Sequence, residues 1–233
     1  MGVAQYYSEC DIKSTLNSGD ITSESYYAGG IAGAVSKYST IDIEKAYNEG
    51  SIKVNQKDNA GGIVGIASGT EGKSYINIKY AYNKGDIYAK VYCSGGILGN
   101  SYNGAEATIE NSFNEGEIDV GTSSYGGILG NISGTTKAVG KISNCHNVGI
   151  ITGSSGAKGA IVGYVSGTYT GSSNYWLSTC GASYGIGSTT ANTNASILTT
   201  DKMKVQTNFS GWDFDTIWKM DETKGYPVLQ WKT

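Results

Sequence analysis

Short apolar segments alternate with runs of Gly, Ser, Thr and Asn along most of the chain, and isoleucine marks their rhythm. Three columns of five emerge on alignment: Ile12, Ile43, Ile78, Ile109 and Ile142; Ile21, Ile52, Ile87, Ile118 and Ile151; Ile31, Ile63, Ile97, Ile128 and Ile161. The third column sits in the phrases GGIAG, GGIVG, GGILG, GGILG and GAIVG, whose last glycines are Gly33, Gly65, Gly99, Gly130 and Gly163. Successive glycines of that set are 32, 34, 31 and 33 residues apart, and the variation falls in polar stretches such as SGTEGKS and SGTTKAVG, which read as loops.

Three β-prone segments per repeat, separated by Gly-containing turns, predict a coil with three sides. A helical repeat would need the 3.6-residue period over about a dozen residues, and a propeller blade about 40 residues in four antiparallel strands. Neither pattern is present. The prediction is an all-β protein: a parallel β-solenoid, right-handed as parallel crossovers nearly always are, with three short strands per coil. Successive coils would lie about 4.8 Å apart, so that Ile stacks on Ile inside the cylinder and five coils span about 24 Å.

Between the first two isoleucine columns an Asn-x-Gly-x-Ile phrase recurs, as in SFNEGEI and AYNKGDI. Asn17, Asn48, Asn83, Asn114 and Asn147 would then form one column, each carboxamide donating to the next. Gly19, Gly50, Gly85, Gly116 and Gly149 are expected to turn the chain with positive φ. Beside the asparagines run Leu16, Tyr47, Tyr82, Phe113 and His146, a largely aromatic file suited to stacking.

After SSNYW the pattern stops, because Tyr175 and Trp176 replace the Asn phrase. TTDKMK predicts a short helix starting at Thr199 or Thr200, and GWDFDTIWKMDETKGYPVLQW brings Trp212, Trp218, Trp231 and the only proline, Pro227. The expected organisation is a solenoid over residues 1–175 and a C-terminal segment over 176–233 that lays aromatics over the last coil as a cap. The chain opens partway into a repeat, and MGVAQYYSEC has neither a basic start nor an apolar stretch, so it reads as a piece of a longer protein.

Composition narrows the chemistry. Gly at 35 and Pro at 1, without a strict three-residue period, exclude collagen, and the Ile and Tyr content excludes a disordered chain. Every one of the 17 basic residues is Lys, and the net charge of -3 is evenly spread, so nucleic acid is not an expected partner. No apolar run approaches the roughly 18 residues of a membrane span. Cys10, Cys93, Cys145 and Cys180 lie far apart and read as small core residues, with neither a zinc site nor a disulfide framework.

The phrases GGIVG and AYNKGDI resemble the GLUG motif, found in tandem in bacterial cell-surface proteins and in non-catalytic regions of some IgA1 peptidases. The close, FDTIWKMDETKGYPVLQW, is similar to the segment that ends such arrays. This resemblance covers nearly the whole chain. It implies an extracellular protein, secreted or attached to the wall of a bacterium, of adhesin-like character, and it supplies no catalytic residues. The peptidase motif HExxH is absent, since His146 is the only histidine.

Some parallel β-helices cleave polysaccharides, with a cationic base near carboxylates or with two or three acids in one groove. Here Arg is absent, and the best acidic column, Asp20, Ser51, Asp86, Glu117 and Ile150, is broken twice. It reads as a solvated face, and Glu49, Lys84 and Glu115 as a surface ion ladder. Asp213 and Asp215 could hold a metal, but their alternation around Phe214 reads rather as a half-exposed strand. Calcium repeats, phosphate loops and nucleophile elbows do not occur, and no cofactor is expected. Tyr26, Tyr27, Tyr88, Tyr92 and Tyr125 are the candidate ligand contacts, with a host glycan or host surface protein as partner; the same rings could instead pack against one another between coils. The expected role is a non-enzymatic surface module, monomeric, acting as adhesin or spacer. The alternative is a polysaccharide lyase or hydrolase.

Overall fold

A computed structural model describes residues 2–24, 26–56, 59–188 and 194–232. The chain winds through about six turns of a parallel β-solenoid. One turn shows the plan: Tyr75–Lys79 and Tyr82–Asn83 form the first side, Ile87–Ala89 and Ser94–Gly95 the second, and Leu98–Tyr102 the third. Each side pairs in parallel with its equivalents above and below, giving sheets of eleven, eight and six strands.

Register follows the isoleucines. Ile78 pairs with Ile43 and Ile109 on the first sheet, and Ile87 with Ile52 and Ile118 on the second. The third column is joined by backbone hydrogen bonds of 3.0–3.1 Å from Ile31 to Ile63, Ile97, Ile128 and Ile161 in turn. Twelve of the fifteen are buried, and Ile12, Ile21 and Ile31 of the first coil pack partly buried against the same core. A slip of one residue would turn every isoleucine to the outside, so the apolar pattern fixes the register.

The glycine of the Asn-x-Gly phrase does not turn the chain with positive φ, contrary to the expectation. Gly50, Gly85, Gly116 and Gly149 are absent from the positive-φ residues; a Cβ on any of them would overlap a carbonyl of the coil beneath. Close approach of backbones is the reason for Gly here. The left-handed position lies three residues before the Asn column, at Ser14, Lys45, Tyr80, Asn111, Asn144 and Ser173, with φ between 47° and 58°. None of these is glycine; Ser14 and Lys45 lie within a continuous first-side strand and the other four fall between two strands, each at a cost of about 1–2 kcal/mol.

Beyond the fifth coil the parallel pairing goes on. Asn174–Leu177 pairs with His146–Asn147 on one side and with Ala195–Leu198 on the other. Trp176 stands over Asn147, fully buried, so a large apolar indole ends the amide column. Thr199 caps the helix Thr200–Met203, its hydroxyl accepting from Lys202 N.

The C-terminal segment covers the last coil, with Cys180, Ala182, Ile186 and Ala195 in the main core, and a flank as well. An antiparallel hairpin, Trp218–Asp221 with Tyr226–Leu229, reaches back along the outside of the first sheet. The file beneath it is stacked, with centroids 4.7 Å apart for Tyr47 and Tyr82, 4.2 Å for Tyr82 and Phe113, and 4.7 Å for Phe113 and His146. Trp218 lies over Phe113 and His146, and Trp212 stacks on Trp218 at 4.1 Å. Trp231 reaches as far back as Lys45 and Tyr80. Asp213 belongs to a turn, not a strand: its carboxylate accepts from the N–H of Asp215 and Thr216 at 2.8 Å each. The aromatic residues therefore build a second core between solenoid and C-terminal segment.

Candidate functional site

Outward positions of the third sheet line up in one column: Ala34, Ile66, Asn100, Asn131 and Tyr164. Tyr102 and Ser133 form the neighbouring outward row. The second side brings Tyr27, Asn59, Tyr92, Cys93, Ser123 and Ser124 alongside, from within its strands or the links between them, and the two sets enclose a trough of about 500 Å³. Its wall stands close because the last glycine of each GGIxG phrase admits it; a Cβ on Gly99 would meet Ala60 O at 2.7 Å and one on Gly130 Ser94 O at 2.5 Å.

A second amide row forms the floor. Asn131 Nδ2 donates to Asn100 Oδ1 at 3.0 Å, and Asn100 Nδ2 donates to Asn59 Oδ1 at 3.1 Å. Asn131 also donates to Ser133 Oγ, and its Oδ1 accepts from no group among the described residues. Tyr92 and Tyr164, 46% and 38% exposed, can be reached by a ligand from outside. A second depression of about 530 Å³ shares Tyr27 and Ile66 and continues along the same face to Val3 and Gln5. Lys37 and Glu71 on its edge pair with each other at 3.2 Å.

Of the five candidate tyrosines, Tyr27 and Tyr92 meet in the trough, and Tyr26 lies in the adjoining depression with its ring 6.3 Å from that of Tyr27. Tyr88 faces elsewhere, on the second sheet beside Lys53, Asn55, Lys90 and Asp119. The charge of nearby Asp86 raises its phenol above the ordinary range. Tyr125 is withdrawn as a ligand contact, for its ring is 1% exposed within the core and its hydroxyl donates to Ser155 O at 3.2 Å.

The Asn column of the repeat is interior. Nδ2 to Oδ1 distances from Asn17 to Asn147 are 2.7, 2.7, 2.7 and 2.9 Å, and each Nδ2 also donates to the glycine carbonyl two residues on. Asn48, Asn83, Asn114 and Asn147 are fully buried, so no ligand reaches them. Asp20 and Asp86 spend a carboxylate oxygen on the N–H of Ser51 and Glu117 in the next coil, at 2.8 and 2.9 Å.

Glu49 pairs with Lys84 at 3.8 Å, whereas Glu115 is taken by Lys224 and Tyr226 of the C-terminal hairpin and by Tyr82. Burial would raise the Glu115 carboxyl, but hydrogen bonds from Lys224, Tyr226 and Tyr82 outweigh it and hold the group below the usual range. His146 is fully buried, its Nε2 2.9 Å from Pro227 O; burial lowers its pKa to about 4. No group of three or more His, Cys, Asp or Glu among the described residues could hold a metal ion. The four cysteines are free.

Asn100, Asn131, Tyr102 and Tyr164 escaped the reading of the sequence. For Asn100, Asn131 and Tyr164 the signal was the residue after the last glycine of the repeat phrase, which is Asn in both GGILGN phrases; Tyr102, three residues past Gly99, carried none. Among the described residues no helix is long and apolar enough to cross a membrane.

No family model matches the chain, and no curated protein matches it. It is similar to a solved structure from Bacteroides ovatus, provisionally named an immunoglobulin A1 protease, at 19% identity over 98% of this chain and 75% of that one, with a TM-score of 0.57. At that identity the likeness shows the fold.

Proposed function

We propose that this chain is a non-enzymatic module displayed outside a bacterial cell, an adhesin-like or spacer element of a surface protein. The observation that carries this reading is the trough of Tyr and Asn side chains along one face of a rigid stack. Solenoids expose long, flat surfaces suited to extended partners. The name of the Bacteroides ovatus structure agrees with the IgA1-peptidase setting that the repeat resemblance implies.

Polysaccharide cleavage is the competing reading, and the trough's lining speaks against it. Its described residues are Tyr, Asn, Ser, Cys and Ile, without a carboxylate to act as acid, base or nucleophile. Immobilised protein is to be tested against arrays of host glycans and host surface proteins, and in parallel against polysaccharides with detection of released sugar. Saturable binding without release is expected. Sugar release lost on substitution of a surface carboxylate would overturn the proposal in favour of an enzyme.

A further inference from the structure

We infer that the trough on the third sheet is a binding site for an uncharged oligosaccharide lying parallel to the solenoid axis; this deepens the display-module reading and rests on it. Three features of the lining converge on that class of ligand.

Aromatic rings come first. Tyr27, Tyr92, Tyr102 and Tyr164 stand along the trough, and exposed tyrosine offers an apolar face with a polar tip. The C–H faces of pyranose rings suit such surfaces, while their hydroxyls stay free for hydrogen bonds.

The amides come second. Asn131 and Asn100 are tied by their own row into fixed orientations, so their remaining capacity is already aimed. Asn131 Oδ1 needs a donor and Asn100 Nδ2 has a second hydrogen to give, a combination that matches neighbouring hydroxyls, each both donor and acceptor. Asn131 is 5% exposed and Asn100 6%, yet Asn131 Oδ1 is not sealed from the trough, so a sugar hydroxyl can take the place of water there.

Charge decides the class. No Lys, Asp, Glu or His lines the main trough among the described residues. A uronate or sialylated chain would bury its carboxylate there without a counter-ion, which costs far more than burying a hydroxyl that finds a partner. The flanking charges, Lys37 and Glu71, neutralise each other. Within the trough the column from Ile66 to Tyr164 crosses three inter-coil steps, about 14 Å, so the site favours an oligomer over a single sugar.

Isothermal titration calorimetry on the intact chain is the test, with neutral hexose and N-acetylhexosamine oligosaccharides of two to six units and uronic acid oligomers of equal length. Saturable binding by a neutral oligosaccharide is expected, strengthening with length, with the matching uronate at least about tenfold weaker. Tyr92→Ala and Tyr164→Ala should each weaken it on the order of tenfold, and Tyr88→Ala should not. A measurement on the unmodified protein guards against variants that fold poorly: the sugar should shift the side-chain amide NMR signals of Asn100 and Asn131 and leave those of Asn83 and Asn114 in place. The inference is overturned by absence of saturable binding at millimolar neutral sugar, by equal affinity for uronates, or by shifts confined to other faces. Capture of a host protein together with absence of binding by every neutral sugar would overturn the sugar site and leave the display-module reading intact. Sugar binding by a protein found inside the cell would do the reverse.

Discussion

Gly96 lies directly against the side chain of Asn114: a methyl group placed on it would sit 2.5 Å from Asn114 Cβ. The same meeting recurs as Gly30 with Asn48, Gly62 with Asn83 and Gly127 with Asn147. Two phrases that look independent in the sequence, GGI and Asn-x-Gly, are therefore two halves of one interior contact. The second glycine of each pair leaves room for the amide column to fit inside the coil.

Gly96→Ala should destabilise the protein by about 3 kcal/mol or more, since the added carbon also meets Gly127 O and neither neighbour can yield. Gly19→Ala provides the contrast. No atom lies within 4 Å of its Cβ position, and the change should fall within about 0.5 kcal/mol in urea unfolding.

Position along the amide column should set the cost of losing a member. Asn83→Ala removes a buried carboxamide that donates to Gly85 O and Asn114 Oδ1 and accepts from Asn48. Each buried group left unpaired costs about 1–3 kcal/mol. Asn17→Ala, at the exposed first coil, should cost less than half as much. Chemical denaturation of the two variants side by side checks the order.

Stability should fall on mild acidification through His146. Its pKa in the folded chain, about 4, lies below the ordinary 6.5, so the unfolded chain takes up the proton first. Stabilisation from the neutral imidazole is complete above 6.5 and declines by about 1.4 kcal/mol per pH unit between 6.5 and 4. Glu115 acts in a lower window: its depressed carboxyl adds stability above the ordinary carboxylate range, lost as pH falls through the folded value. Melting curves of His146→Phe should be flat from pH 6.5 to about 4.5 where the parent declines. An identical decline in both would contradict this.

The hairpin is held by Lys224, which meets both Glu115 and Tyr82 of the solenoid. Lys224→Met should cost about 2 kcal/mol, since it leaves the half-hidden Glu115 carboxylate with hydroxyl donors alone. Hydrogen exchange should quicken in 218–229 and stay slow at Ile87 and Ile118 of the main core. Uniform quickening would show instead that hairpin and solenoid open together.

The repeat was legible because stacking repeats one environment at every turn, and Ile, Asn and Gly answer to it each time. What escaped had no such repetition. The left-handed position is filled by Ser, Lys, Tyr and Asn, whose common backbone leaves no common side chain. Tyr125 could not be told from Tyr92 by sequence, since a ring over Gly153 of the next coil is a contact 28 residues away. The course of the hairpin depends on pairs such as Trp218 with Asn111, 107 residues apart, which local pattern does not encode.

Stacking in register is most directly tested by an electron-spin distance between labels at Thr22→Cys and Thr152→Cys, with the half-buried Cys10 and the trough-lining Cys93 replaced by Ser. Thr22, Lys53, Tyr88, Asp119 and Thr152 form one outward column of the second sheet. Four steps of about 4.8 Å place the ends about 19 Å apart, and a single narrow distribution near that value, widened by the label arms, is expected. A broad distribution, or one centred beyond about 35 Å, would mean that residues 130 positions apart do not share one side of a continuous stack.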